Sequence, residues 1–337
     1  MADDRVLLAH GSGGKVSHRL IDEVFMKVFT DPVLNRQDDA AVVPGGEQLA
    51  FTTDSYVVKP IFFPGGDIGK LAVCGTVNDL SMSGAVPKYI SAAFVIEEGF
   101  AFAELYRVVE SMAAAADEAG VAIVTGDTKV VERGSADQIF INTAGVGIMR
   151  PGADIAAANL RPGDAVIISG SIGDHGVAVM STREGLSFRT AIESDCAPLN
   201  GLIAAVIDSG ADVHALRDPT RGGLASTLNE FAAQSGVVVA IDETQVLVAD
   251  QVAGACEMLG LDPYQVANEG KVVAVVAAAD ADKAVAAMRT SPYGREARII
   301  GIVAEAPDGK PRVTLKTTVG TTRILDMLVG EQLPRIC

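Results

Sequence analysis

The sequence predicts two consecutive mixed α/β domains of the α+β type, each a sheet covered on one face by helices. Three observations carry this expectation. The chain has 337 residues, about twice a typical domain of roughly 150. Strand-like and helical apolar periodicities alternate along it. A polar, turn-rich stretch, Arg150-Pro-Gly-Ala-Asp154 followed by Leu160-Arg-Pro-Gly-Asp164, interrupts that alternation near the middle, after which it restarts.

Residues 19–29 carry apolar positions at helical spacing, and 41–58 read as strands broken at Pro44-Gly45-Gly46. The segment 68–83 reads as a helix rich in small residues, packed closely against a neighbour. A buried strand at 89–96, an amphipathic helix at 103–119 closed by Gly120, and strands at 121–125 and 139–148 complete the first half. The second half predicts strands at 165–169, 237–241, 271–277 and 299–303. Helices are expected at 198–208, 223–234, 246–259 and 281–289. Domains are therefore expected at 37–150 and 151–329, after an N-terminal segment 1–36 with a glycine-rich loop. The last residues, 330–337, have no pairing partner in the pattern and are expected to form a mobile tail.

Composition narrows the function. Apolar residues make up 49% of the chain but aromatics only 5%, with no Trp, so the core rests on Ala, Val, Ile and Leu. A net charge of -16 repels phosphate backbones and argues against nucleic acid. Phosphorylated small molecules remain compatible if divalent cations screen them. No apolar run reaches the roughly 18 residues that cross a bilayer, and Met1-Ala-Asp-Asp-Arg5 lacks the features of a signal peptide. Cys74, Cys196 and Cys256 show no metal-ligand spacing and read as small, reduced core residues, so the cytoplasm is the expected compartment.

Four features carry chemistry. Gly11-Ser-Gly-Gly-Lys15 resembles a phosphate-binding loop, but Ala9 and Val16 break the P-loop spacing, and no Rossmann unit surrounds it. The free amides of Gly11, Gly13 and Gly14, with Lys15, could still cover phosphates. Aspartates recur at turns: Asp38, Asp39, Asp54, Asp79, Asp127 and Asp218. Singly each is an ordinary cap or turn former; together they are hard oxygen ligands suited to Mg²⁺ carrying a nucleotide triphosphate. Glu269, in Asn268-Glu-Gly-Lys271 at the mouth of an apolar strand, is either a loop acid or a desolvated general base. Cys337 is the last residue; its thiol, beside its own carboxylate, has a raised pKa that Arg335 partly offsets, and it is shaped to thread end-on into a pocket.

These motifs occur together in one known pattern. Asp38-Asp-Ala-Ala-Val42, Thr52-Thr-Asp-Ser-Tyr56, Phe63-Pro-Gly-Gly-Asp-Ile-Gly69, Val77-Asn-Asp-Leu80, Gly126-Asp-Thr-Lys129 and Asp218-Pro-Thr-Arg-Gly-Gly223 resemble the PurM-like ATP-binding superfamily over nearly the whole chain. The opening Ala9-His-Gly-Ser-Gly-Gly-Lys15, Ala267-Asn-Glu-Gly-Lys271 and the ending Pro334-Arg-Ile-Cys337 are similar to the HypE family of hydrogenase maturation factors, the carbamoyl dehydratases. The resemblance implies a PurM-like two-domain fold whose N-terminal sheet pairs across a homodimer, with ATP near that interface. It implies Mg²⁺ and triphosphate on Asp38 or Asp39, Asp54, Asp79 and Asp218, with Asn78 and Asp127 in the nucleotide site and Lys129 on the developing charge. A carbamoyltransferase, HypF, would load Cys337; ATP would activate the carbamoyl oxygen; Glu269 would take the amide protons. The resulting thiocyanate would pass as cyanide to an iron on a HypC–HypD complex, for a [NiFe] hydrogenase. Rival readings are a small-molecule kinase or synthetase of the same superfamily, and a non-catalytic nucleotide-binding scaffold.

Overall fold

The computed structural model describes residues 14, 15, 18, 22, 41–45, 47–185, 192–330 and 335–337. The helical periodicity at 19–29 lies almost wholly outside them. The first domain runs β1 (Ala41–Gly45), β2 (Glu47–Tyr56), β3 (Phe62–Phe63), β4 (Gly66–Asp67), α1 (Ile68–Met82), β5 (Ala85–Glu97), α2 (Phe102–Ala119), β6 (Ala122–Val131) and β7 (Ile139–Met149). Its main sheet has the order β1-β2-β7-β5-β6.

The first helix starts where the Asp67 carboxylate accepts from the amides of Gly69 and Lys70, at 2.8 and 3.0 Å. Its small residues serve close packing: a Cβ on Gly69 would stand 2.3 Å from the Val108 carbonyl of α2. Ile68, Leu71, Val73 and Val77 pack with Ile90, Ile139 and Ile141 of the sheet. The opposite sheet face is open. Phe51, Val146 and Tyr89 stand in register across β2, β7 and β5, and Phe51 and Tyr89 are 46% and 52% exposed.

The second domain runs β8 (Ala165–Ile168), α3 (Asp174–Arg183), α4 (Asn200–Asp208), β9 (Val213–Arg217), α5 (Gly223–Ser235), β10 (Val238–Asp242), α6 (Asp250–Leu259), β11 (Val273–Val276), α7 (Ala281–Met288), β12 (Arg298–Ala304), β13 (Arg312–Lys316) and β14 (Thr322–Ile324). Its sheet has the order β14-β13-β10-β12-β8-β11-β9. Here the expectation of one covered face fails. Val166 and Ile168 pack with Leu224 and Phe231 of α5, while Ala165 and Ile167 pack with Leu202 of α4 and Ala284 of α7. The continuous apolar runs of β8 and β11, with no polar alternation, are what a sheet buried on both faces requires. Among the described residues, no helix is long and apolar enough to cross a membrane.

The domains meet along the segment 192–200. Asn78 of α1 accepts from the Leu199 amide at 2.8 Å and donates to the Ala197 carbonyl at 3.1 Å. Asn200 donates to the Ala119 carbonyl at 2.7 Å, and the Ser194 amide to that of Pro64 at 2.8 Å. The expectation that the tail lacks a partner is overturned for its last three residues. Ile336 is 3% exposed, packed mainly on the first domain's core, because its apolar side chain finds apolar cover there and the tail carbonyls meet N–H donors of both domains.

Asn78→Ala should lower stability by about 1–3 kcal/mol, since it strands a buried amide and carbonyl at the domain junction. Urea unfolding monitored by circular dichroism measures this.

Candidate active site

The site forms where the tail, the turn before β11 and the loop after β9 converge. That turn, Asn268–Lys271, is held from two sides. Asn268, fully buried, accepts from the Gly173 amide at 2.8 Å and donates to the Pro219 carbonyl at 2.9 Å, tying three loops together. The Asp195 carboxylate accepts from the amides of Glu269 and Gly270 at 3.1 and 3.2 Å and pairs with Lys271 at 3.0 Å. Burial opposes charge on Asp195, but Lys271 and these donors hold its pKa below the ordinary value. A Cβ on Gly270 would lie 1.8 Å from the Asp195 carbonyl, so only glycine admits this approach.

Held this way, Glu269 is 3% exposed and its Oε1 has no hydrogen-bond partner. Burial, reinforced by Cys196, Asp218, Asp195 and Asp54, raises its pKa well above that of a free glutamate. Cys337 shares this environment. Its terminal carboxylate accepts from the Val57 amide at 3.3 Å, and the Arg335 carbonyl from the Lys59 amide at 3.1 Å. Arg183 of α3 also donates to the Arg335 carbonyl, at 2.7 Å. Asp137 pairs with both Arg335 and Lys59. The Cys337 thiol meets Arg221, whose guanidinium hydrogen-bonds it; burial, with Glu269 and Asp54 nearby, still pushes the thiol up to about 12.

The structure therefore brings together Cys337, Glu269 and Asp54 around Arg221, with Asp218 acting on Glu269; all but Arg221 were singled out in the sequence. Arg221 stood in Asp218-Pro-Thr-Arg-Gly-Gly223, and a cation in a glycine turn after an acid was the available signal. Asp54 accepts from the Ser55 amide at 2.7 Å; burial raises its pKa, and Arg221 opposes this. Asp79 accepts from the Thr52 hydroxyl at 2.9 Å, and both aspartates act on the buried Tyr56 phenol. His175, Ser194 and Asp195 carried no recognisable motif, and sequence reasoning missed them.

Other expected residues stand elsewhere. Asn78 is committed to backbone groups of the domain junction, so we assign it there rather than to a nucleotide. Asp127 and Lys129 pair at 3.1 Å on the edge strand β6, 61% and 70% exposed, whereas Glu269 is buried. Asp127 lines an open cleft of about 720 Å³ with Val109, Met112 and Ile123. Gly14 lies against the Leu328 carbonyl, and Lys15 pairs with Asp326 at 2.6 Å. Gly11, Gly13, Asp38 and Asp39 lie outside the described residues. Among the described residues, no three His, Cys, Asp or Glu side chains gather closely enough to hold a metal alone.

The family model for the N-terminal domain of AIR synthase related protein matches residues 37–149, and that for its C-terminal domain matches 161–314. The chain is 54% identical over 335 residues to carbamoyl dehydratase HypE of Cupriavidus necator, covering 99% of this chain and 95% of that protein. It is 46% identical to that of Escherichia coli, covering 99% and 100%. A crystal structure of a HypE–HypF complex superposes with a TM-score of 0.87 at 53% identity, covering 92% of this chain and 99% of that one. A HypE structure in complex with ATP gives 0.84 at 50% identity, covering 99% and 100%. Thiamine monophosphate kinase of Aquifex aeolicus, at 17% identity and a TM-score of 0.65 over 93% of this chain and 99% of that one, shares the fold. With near-complete coverage at such identity, and with both halves matched by the family models, the chain belongs to the HypE carbamoyl dehydratase family.

Proposed function

We propose that this protein is an ATP-dependent carbamoyl dehydratase that acts on its own C-terminal cysteine in hydrogenase maturation. The observation that carries the reading is the docked Cys337 thiol, held against Arg221 and beside the buried carboxyl of Glu269. A kinase acting on a free small molecule gives no role to a terminal thiol held in this way.

The substrate is a thiocarbamate on Cys337, formed by a carbamoyltransferase of the HypF kind. Its oxygen is a poor leaving group. Attack by that oxygen on the γ-phosphate of ATP releases ADP, and departure of the oxygen as phosphate leaves S–C≡N on the cysteine. The two nitrogen-bound protons leave one at a time: Glu269 accepts one, and the other departs with the phosphate. A raised pKa makes Glu269 a stronger base than a free carboxylate, and its partnerless oxygen is open to an N–H donor. Arg221 sits where a cation offsets charge gathering on the tail. Lys129 serves the phosphate if β6 lies at a subunit interface. The product would pass, as cyanide, to an iron held by a HypC–HypD complex.

The donor set suits magnesium in part. Asp54 and Asp79 supply hard oxygens, and Asp38 or Asp39 with the triphosphate would complete the coordination. Asp218 stands on the Glu269 side of the site. Bound there, the ion neutralises phosphate charge, which a chain of net charge -16 otherwise repels. Gly14 and Lys15, at the root of the tail, belong to the loop expected over the phosphates. A homodimer is supported by the open sheet face bearing Phe51, Val146 and Tyr89 and by the exposed apolar residues of β6. The three buried free cysteines fit a reducing cytoplasm.

Cys337→Ala should leave folding and ATP affinity unchanged and abolish dehydration. Mass spectrometry of the C-terminal peptide after incubation with HypF, carbamoyl phosphate and ATP reads this directly; cyanide still made for the iron would end the self-modification reading.

Glu269→Gln should accumulate carbamoylated Cys337, with single-turnover dehydration slowed by about 10²–10⁴. Protonated Glu269 cannot accept a proton, so the parental rate should rise with pH through the raised Glu269 pKa, and the variant should lose that limb. A parental rate in the variant excludes Glu269.

Sedimentation at micromolar concentration should show twice the chain mass, and Tyr89→Asp should shift it towards the monomer. A parental monomer that hydrolyses ATP excludes the interfacial site.

A further inference from the structure

We infer that His175 is the positioning residue that fixes the register of the docked tail, through a proton carried on Nε2. His175 lies in the first turn of α3 and is fully buried, edge-to-face with Phe63 at 5.4 Å. Its Nε2 is 2.9 Å from the Ile336 carbonyl and its Nδ1 is 2.8 Å from the Ser194 hydroxyl. A carbonyl oxygen only accepts, so Nε2 must bear the hydrogen. Burial lowers the pKa of the ring, although Asp195 opposes this, so the imidazole is neutral and Nδ1 presents a lone pair. Ser194 then donates its hydroxyl hydrogen to Nδ1, while its oxygen accepts from the Cys196 amide at 3.1 Å.

The result is one directed chain of hydrogen bonds: Cys196 amide to Ser194, Ser194 to His175, His175 to Ile336. Its last donor, the Nε2–H, is satisfied only with the tail in place, and a buried N–H without an acceptor costs free energy. The same helix grips the preceding carbonyl, because Arg183 donates to that of Arg335 at 2.7 Å. Two successive carbonyls are thus fixed from α3, and the next residue is Cys337. A slip of one residue would place Arg335 in the apolar slot that Ile336 fills and withdraw the thiol from Arg221 and Glu269. His175 acts on the reaction through Ile336.

This inference deepens the proposed reaction, which it needs for its consequence, but its test uses neither nucleotide nor partner. The full chain is treated with iodoacetamide and alkylation of each cysteine peptide is followed by mass spectrometry. His175→Ala should raise the Cys337 rate about tenfold, the worth of one buried hydrogen bond. Cys74 and Cys256, both buried, should stay as protected as in the parent and so report an intact fold. His175→Gln, which restores an N–H donor of similar reach, should recover most of the protection. Equal Cys337 rates in parent and alanine variant, with both controls protected, overturn the assignment. If the alanine variant unfolds, the parent decides. Long-range ¹H–¹⁵N spectra should show the His175 proton on Nε2, and removal of residues 336–337 should shift that nitrogen. A proton on Nδ1, or a resonance unmoved by truncation, overturns it. A chain that latches its tail but makes no thiocyanate would sink the reaction and leave the role of His175 standing.

Discussion

Asp195 is a carboxylate buried at the domain junction, and three donors converge on it: the amides of Glu269 and Gly270 and the ammonium of Lys271. Ionised and unaccompanied, it would be costly in an apolar interior; ringed by donors, it is tolerated and fixes the turn that carries Glu269. Neighbouring residues of the same segment do the other structural work. Ser194 supports His175, and Ala197 and Leu199 meet Asn78 of the first domain. Domain docking, tail docking and the setting of the acid therefore share one stretch of seven residues, 194–200. Disturbing it would affect all three together.

The arrangement separates two carboxylates that lie side by side. Asp195 is held charged by its donors, while Glu269 is denied them and holds its proton more tightly. Opposite shifts in neighbouring acids are the pattern by which a site keeps one group structural and makes the other available for proton transfer. Arg221 gathers Asp54 and Cys337 around a single cation, which limits the repulsion inside a strongly acidic chain.

Much of this was legible in the sequence, and the failures share a cause. Helix α1 was readable at 68–83 because its run of small residues is a local signal, although the Asp67 cap was not read. Glu269 and Cys337 stood out by position, at the mouth of an apolar strand and at the chain end. Helix α3 was not readable: His175, Gly176, Val177, Ala178 and Val179 are all buried, so no amphipathic stripe marks it. The one-sided sheet expectation failed for the second domain for the same reason, since burial on both faces erases alternation. Asn78 was expected in the nucleotide site from the resemblance of Val77-Asn-Asp-Leu80; its commitment to residues over 100 positions away follows from tertiary structure alone. The role of α3 in holding the tail is equally non-local, joining residues 175 and 336.

The depth at which Cys337 lies sets a timetable. With its thiol pushed up to about 12, the docked cysteine offers almost no thiolate at neutral pH, and it is thiolate that attacks acyl donors and oxidants. Docked and unmodified, the tail is chemically asleep, shielded from adventitious electrophiles. On the proposed reaction, acquiring the acyl group falls to the withdrawn tail, and converting it falls to the inserted one. One chain cannot do both at once. On that reading the tail works as a shuttle whose two stations are kept apart in time by the burial of a single sulfur atom.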